Sequence, residues 1–156
     1  MDYEIVERKE KTVVGLSVRT SNGAADCGQK ISGLWTRFLS AEDALPGYHP
    51  GDPTYGLYTH YTLDDGGYDA AVCCAGENCP EGYARFTIPA GRYACFHFHG
   101  HIQKDVAGFW QKIRELPLER AYRVDLRSTG KWMRKCTGTF PFTSAWRRSA
   151  NPAGCR

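Results

Sequence analysis

Residues 31–35 read ISGLW and residues 106–110 read VAGFW, so one pattern of apolar, small, glycine, apolar and tryptophan recurs 75 positions along the chain (106 − 31 = 75). Apolar residues continue each copy at the spacing i, i+3, i+4, i+7, which is typical of one face of an amphipathic helix. The shared pattern predicts two related helices and therefore a duplicated unit. The residues are Ile31, Leu34, Trp35, Phe38 and Leu39 in the first helix and Val106, Phe109, Trp110, Ile113 and Leu116 in the second.

Glycine occurs at the same place in both predicted helices, at Gly33 and Gly108. A glycine inside a helix costs about 1 kcal/mol relative to alanine. Its presence at both places predicts a close approach of each helix to a neighbouring part of the backbone.

Runs rich in β-branched and aromatic residues flank each helix and indicate strands. In the first half they are residues 3–6, 12–18, 55–62 and 68–75, the last two joined through a turn at 64–67. In the second half they are residues 83–88 and 93–99, and a further strand begins at residue 119. The order predicts a duplicated unit of two strands, a helix and two strands, with the two units joined edge to edge.

Two related halves side by side leave a cleft between their helices, floored by the sheet, and such clefts are common ligand sites. We expect aromatic side chains to line this cleft. The faces of aromatic rings suit a flat apolar ligand or an organic cation. The alternative is that each of these rings is part of the core. The candidates are Trp35 and Trp110 at equivalent helix positions, and Tyr55, Tyr58, Tyr61 and Tyr93 on the predicted strands.

Taken together, these segments resemble the gyrase-inhibitor-like, or AraC-type, effector-binding domain family. The resemblance runs from Tyr3 to Asp125 and is carried by YEIVERKEKTVVGL (3–16), ISGLWTRFL (31–39), YGLYTHY (55–61), IPAGRYACF (88–96) and VAGFWQKI (106–113). It implies an α+β fold in which duplicated βαββ halves, residues 1–78 and 79–125, form a curved antiparallel sheet with two helices and a central ligand groove. It also implies binding of small, often lipophilic and cationic molecules in that groove.

Many domains of this family are attached to a helix-turn-helix transcription factor. The chain has no room for one, so the resemblance implies a stand-alone binding module, with a regulatory protein as its partner. The family also has a pocket glutamate early in the penultimate strand, where it meets the positive charge of the ligand. Here that stretch reads RVDLR (123–127), and the expected acid falls at Arg127, of the opposite sign. Recognition of a cation as in the family would therefore require Asp125 to substitute.

Composition agrees with one globular domain, since 42% of the 156 residues are hydrophobic and 24% are charged. No apolar run approaches the ~20 residues of a membrane span, and the start lacks the features of a signal peptide. We therefore expect a cytoplasmic protein without a membrane partner.

Charge is divided unevenly along the chain. Residues 1–125 hold 13 Lys and Arg against 17 Asp and Glu, a net −4, whereas residues 126–156 hold 7 Lys and Arg and no acid, a net +7. A basic tail could bind phosphates of nucleic acid, but a solvated tail is the commoner case, and we predict no direct nucleic-acid binding.

Neither a metal nor a cofactor is predicted. The seven cysteines are odd in number and irregularly spaced, which disfavours a disulfide framework, and adjacent Cys73 and Cys74 would point to opposite faces of a strand. The alternation of His97, His99 and His101 could form a metal site. Solvent-facing histidines opposite Phe96 and Phe98 are favoured instead.

The resemblance ends at Leu126, after which neither a final strand nor clear alternation is found. Residues 128–148 can be encoded by codons that, when they are read from the third base of each codon, give the peptide YGEVDEEMHGHLPIYIGVAP. This peptide resembles the C-terminal segment of the family, which is missing here. Our hypothesis is that residues 126–156 form a divergent basic tail that results from a frameshift in the gene or in its reported sequence. Sequencing of the DNA would test it. An exposed sheet edge would then follow, although residues 141–143 could pair crudely with the sheet.

The sequence therefore predicts a module that binds small hydrophobic, aromatic or cationic molecules and has no chemistry of its own. The alternative is a hydrolase that acts on reactive small molecules in the same groove. Catalysis would need a positioned base, and neither a GxSxG motif nor a Ser-His-Asp order occurs.

Overall fold

The fold is known from a computed structural model. It describes residues 3–41, 45–49, 51–118, 120–129 and 139–146, and for residues 99, 102, 103 and 139–146 it describes the backbone alone. The described elements are β1 (Glu4–Arg8), β2 (Lys11–Ser21), α1 (Cys27–Ser40), β3 (Thr54–Thr59), β4 (Gly67–Ala75), β5 (Ala84–Ile88), β6 (Gly91–His99), α2 (Ile102–Glu115), β7 (Arg120–Thr129) and β8 (Thr139–Trp146).

The strands form one antiparallel sheet in the order β1-β6-β8-β7-β3-β4-β2-β5. The segments β2-α1-β3-β4 and β6-α2-β7-β8 repeat the same arrangement on either side of the β3 and β7 pair. The predicted fold class, α+β with two related halves, is therefore confirmed.

The outermost strands of the sheet do not pair with strands of their own halves, as a simple joining of two halves would require. β1 pairs with β6, from the second half, and β5 pairs with β2, from the first half. The two halves thus exchange their first strands. Local sequence patterns do not reveal this exchange, because the paired residues are far apart in the chain, as with Glu4 opposite Cys95.

Both helices pack on the same face of the sheet. Leu34 and Phe38 of α1 are buried against Val14, Val72 and other residues of β2 and β4. In the second half, Ile113 of α2 is buried against Ala94, Phe96 and Phe98 of β6. The opposite face holds a third apolar cluster, which contains residues of β2 to β7 and none of either helix: Val13, Tyr55, Leu57, Ala71, Cys73, Phe86, Ile88, Tyr93, Val124 and Leu126.

The predicted reason for the two helical glycines is wrong. Gly33 and Gly108 are both exposed, and a Cβ built on either would meet no atom within 4 Å. The close backbone approach lies at Gly15 in β2 instead, where a Cβ would overlap the carbonyl oxygen of Val72. The helical glycines therefore have no packing role among the described residues.

The end of the chain also differs from the sequence prediction of no final strand. β7 continues past Asp125 to Thr129, and β8 lies between β6 and β7. The pairing that was predicted for residues 141–143 occurs, with His97 opposite Pro141 and Cys95 opposite Thr143. β7 is consequently paired on both sides, and the exposed edge expected there is not found. Whether the tail is out of frame stays a prediction.

The five cysteines that the structure describes are free thiols. Cys73 packs in the cluster away from the helices and Cys74 in the cluster with α1, so the two neighbours point to opposite faces as predicted. No helix in the described part of the chain is long and apolar enough to cross a membrane.

Candidate functional site

Strands β3 and β7 lie side by side at the centre of the sheet, and their register defines two rows of residues. Gly56 is opposite Arg127, and Tyr58 is opposite Asp125. Directly opposed residues of paired strands project to the same face. Gly56 is also opposite Val72, which packs with α1, so both rows face the helices.

Trp35 of α1 lies over the first row. The guanidinium carbon of Arg127 is 4.2 Å from the centre of the Trp35 ring, a cation–π contact. A Cβ on Gly56 would lie 3.0 Å from Cζ2 of Trp35 and 3.2 Å from Cγ of Arg127. A glycine in the strand therefore makes room for the indole and the arginine side chain to meet.

Trp110 of α2 reaches the second row. Its ring is 5.6 Å from that of Tyr58, edge to face. Positions two apart on a strand are separated by about 7 Å, so the two tryptophans contact neighbouring rows of the same strand. The equivalent helix positions predicted from the repeat are therefore brought to one central site, made of Trp35, Gly56, Tyr58, Trp110, Asp125 and Arg127.

A chain of tyrosines extends the central site along the helix face. The ring of Tyr58 contacts that of Tyr68 on β4 at 5.8 Å, and Tyr68 contacts Tyr61 at 5.7 Å. Tyr61 in turn lies 6.0 Å from Tyr122 on β7. Burial raises the pKa of the Tyr58 phenol, so this group is a neutral hydrogen-bonding group at physiological pH.

Asp125 is 3% exposed and is held by two donors. Tyr61 donates its hydroxyl proton to Oδ2 at 2.6 Å, and Arg120 forms an ion pair with the same oxygen. Burial and the neighbouring carboxylate raise the pKa of Tyr61. The carboxylate that could serve as a base or as the partner of a cation is therefore engaged within the protein.

Arg127 is 9% exposed and lies in the same site. Its Nε is buried without a hydrogen-bond partner in the described structure. Burial lowers the pKa of the guanidinium, since the charged form loses its hydration. The site thus contains a desolvated positive charge next to two aromatic rings, those of Trp35 and Tyr58.

Two of the predicted site residues are not brought to this face. Tyr55 and Tyr93 are buried in the cluster on the opposite face of the sheet. The Tyr55 hydroxyl accepts a hydrogen bond from Nζ of Lys11 at 2.8 Å, and the Tyr93 hydroxyl donates to the carbonyl of Pro89 at 2.7 Å. These contacts are those of satisfied core tyrosines.

Tyr61 reaches the site from outside the strand on which it was predicted. β3 ends at Thr59, and His60 follows with a positive φ of 51°. The chain turns there, and the Tyr61 ring lies against Tyr68. Sequence reasoning missed Tyr68 and the role of Gly56. Parity along each strand gives the face of both residues: Gly56 is two positions before Tyr58, and Tyr68 is two positions before Ala70, the partner of Tyr58.

The alternative metal site would consist of His97, His99 and His101, and the side chain of His99 lies outside the described residues. His97 is exposed, and its Nε2 lies 3.6 Å from Oε1 of Glu4. Among the described residues, no group of three or more His, Cys, Asp or Glu side chains could hold a metal ion.

The chain is a member of a family of effector-binding proteins. Residues 4–130 match the Cass2 family, described as integron-associated effector binding proteins, and the chain belongs to this family.

Individual relatives agree with this assignment. The transcriptional regulator BrlR of Pseudomonas aeruginosa is 32% identical over 121 residues, which are 77% of this chain and 43% of BrlR. The chain thus spans less than half the length of that relative. An integron cassette protein from the mobile metagenome of Vibrio cholerae, VCH_CASS2, superposes with a TM-score of 0.74 at 26% identity, covering 93% of this chain and 95% of its own.

Two further solved structures share the fold at lower identity. The protein SAV2435 bound to tetraphenylphosphonium has a TM-score of 0.69 at 18% identity, with 94% of each chain covered. A putative bacterial transcription regulation protein from Staphylococcus aureus has a TM-score of 0.69 at 16% identity, with 95% of this chain and 99% of that chain covered.

Proposed function

We propose that this chain binds lipophilic aromatic small molecules at the central site between α1 and α2, and that it acts as a sensor without chemistry of its own. The observation that carries the proposal is the convergence of two equivalent tryptophans on adjacent rows of β3, Trp35 at Gly56 and Trp110 at Tyr58. Aromatic side chains provide large, rigid contact area for a flat ligand.

Relatives support the ligand class. The family is one of effector-binding proteins, and one protein of the same fold was solved with tetraphenylphosphonium, a lipophilic cation. The sequence alone is compatible with both aromatic and cationic ligands. A free carboxylate would add to the attraction of a cation, but Asp125, the carboxylate among the described residues of the central site, is engaged by Tyr61 and Arg120. The aromatic part of the prediction is therefore the part we retain.

A regulatory role is the second part of the proposal. The relatives include a transcriptional regulator, which supports a function in which ligand occupancy is sensed by a regulatory protein. Direct binding of nucleic acid and a membrane partner are not proposed, and the cytoplasmic location stays a prediction.

The alternative of a hydrolase would use a base in the same groove. Because two donors already engage Asp125, general-base catalysis by it would first require these contacts to break. Incubation with p-nitrophenyl acetate and p-nitrophenyl butyrate separates the two functions. Saturable turnover would support the hydrolase, and binding without turnover supports the sensor.

Titration with N-phenyl-1-naphthylamine, a neutral dye whose fluorescence rises in apolar sites, tests the proposal. Trp35→Ala and Trp110→Ala should each weaken binding at least about fivefold, since each removes an aromatic contact of about 1 kcal/mol or more. His97→Ala is the matched control, because His97 is exposed and lies on β6, outside the central site. It should leave the affinity unchanged.

Equal effects of the three substitutions, or an absence of saturable binding by the folded protein, would contradict the proposal. Circular dichroism should accompany each titration to show that the variants are folded. Trp35→Phe and Trp110→Phe serve where an alanine variant fails to fold, because they keep most of the apolar volume and shorten the ring.

A further inference from the structure

We infer that the molecule bound at the central site carries an anionic group, a carboxylate or a sulfonate, that pairs with Arg127. This inference rests on the proposed function and names the class of ligand that the site would take. A site built for organic cations would take a positively charged ligand, whereas this site would take a negatively charged one.

The first observation is that Arg127 is buried and that no described carboxylate forms an ion pair with it. The residue is 9% exposed, and its Nε is buried without a hydrogen-bond partner among the described residues. A buried charge is unfavourable unless it is paired and hydrogen-bonded. The free protein therefore contains a positive group that an anion would stabilise.

The second observation is the position of this charge. The Arg127 guanidinium lies over the Trp35 ring at 4.2 Å, and the residue is opposite Gly56, next to the row of Tyr58 and Asp125. An aromatic ligand that contacted the two indoles would thus lie beside the guanidinium. The planar donors of arginine can bind a pair of oxygens of a carboxylate or a sulfonate.

The acid nearest along the strand does not compensate Arg127. Asp125 forms its ion pair with Arg120 and accepts the Tyr61 hydroxyl. The described carboxylates in ion pairs have other partners, as Asp69 has with Arg19. A cationic ligand would place a second positive charge near Arg127 in a desolvated site, where like charges repel strongly.

Two dyes with one skeleton test the charge alone. N-phenyl-1-naphthylamine is neutral, and 8-anilino-1-naphthalenesulfonate is the same molecule with a sulfonate added. The wild-type protein should bind the sulfonate at least about tenfold more tightly than the neutral dye, because a hydrogen bond to a charged group is among the strong ones. Fluorescence titration of both dyes at the same ionic strength measures this ratio without any variant.

Arg127→Gln should abolish the preference. The amide removes the positive charge and keeps a polar, planar head, so binding of the sulfonate should fall about tenfold more than binding of the neutral dye. Arg123→Gln is the matched control on the same strand, because Arg123 is exposed. It should retain the preference. Arg127→Lys, which keeps the charge, should retain part of it.

Competition with tetraphenylphosphonium gives an independent readout. Because Arg127 repels a cation, Arg127→Gln should strengthen displacement of the neutral dye by this cation. Any of three results would overturn the inference alone: equal affinity of the wild type for the two dyes, an equal effect of Arg127→Gln on the binding of both dyes, or weaker competition by the cation in that variant. Saturable binding of the neutral dye without binding of the sulfonate would also overturn the inference alone, whereas failure of both dyes to bind saturably would overturn the proposed function, and the inference with it.

Discussion

Gly56 lies directly opposite Arg127 across the central pair of strands, and this glycine is the reason that Trp35 can lie on the guanidinium. Any side chain at position 56 would occupy the space where the indole and the arginine meet. A strand-interior glycine is usually a weakness of the sheet, and such a residue often marks close approach of another group. Here the approaching groups are the two that define the central site.

Gly56→Ala should therefore destabilise the protein and weaken binding together. The new Cβ would lie 3.0 Å from Trp35 and 3.2 Å from Arg127, so both side chains must move. Overpacking of this kind costs about 1–3 kcal/mol. Urea unfolding followed by circular dichroism measures the loss, and titration with N-phenyl-1-naphthylamine measures the weaker binding. Unchanged stability and binding would contradict the described contact.

The two helical glycines should respond in the opposite way. Gly33 and Gly108 are exposed, with open space around the position of a Cβ. Gly33→Ala and Gly108→Ala should each raise the free energy of unfolding by about 0.5–1 kcal/mol, because alanine favours the helix. Dye binding should not change. A loss of stability in either variant would indicate a neighbour that packs against the glycine.

Asp125→Asn should be strongly destabilising. The substitution leaves the Arg120 charge unpaired in a site where its side chain is 10% exposed. Breaking one side of a buried ion pair costs about 3–5 kcal/mol. Asp69→Asn is the matched control, since Asp69 pairs with Arg19 at the surface, and an exposed pair contributes about 0–1 kcal/mol. Similar losses in the two variants would show that Asp125 is not buried as described.

Tyr93 should make the protein sensitive to alkali. Burial raises the pKa of its phenol from 10 to about 12, so the neutral form is favoured in the fold. The stabilising contribution is complete below pH 10 and is lost as the pH rises through 12. The wild type should lose about 2 kcal/mol more than Tyr93→Phe by pH 12.

Tyr93→Phe should itself cost about 1 kcal/mol at pH 7, because it removes the hydrogen bond to Pro89. The free-energy gap between wild type and variant should therefore shrink or change sign at high pH. Urea unfolding at pH 7, 10 and 12 measures the gap. A constant gap would contradict the raised pKa. The other buried tyrosines are common to both proteins and cancel in the comparison.

The helices and most strands could be predicted because their signals are local. The apolar stripe of α1 and the alternation in β3 and β4 depend on neighbouring residues alone. The same alternation separates Tyr55 from Tyr58: positions three apart on a strand face opposite sides, so both could not have lined one groove. Residue type alone places the two tyrosines in one group, but type does not determine the face of the strand on which a residue lies.

The remaining features depend on distant residues. The exchange of β1 and β5 between the halves and the insertion of β8 between β6 and β7 are pairings across tens of residues, which no local pattern reports. Arg127 was noted as a departure from the family, but its burial against Trp35 follows only from the register of β7 on β3. The turn at His60 likewise brings in Tyr61 by a backbone conformation that composition does not predict.

The exchanged strands give the duplication a geometric interpretation. Each half is completed by a strand encoded in the other, as in a domain-swapped dimer whose two protomers have been fused into one polypeptide. Cutting the connection between β4 and β5 would not give two independent domains, because the edge strand of each half would still belong to the other fragment. The tryptophan-bearing helices are thereby kept in fixed relation to each other by the interlocked ends of the sheet.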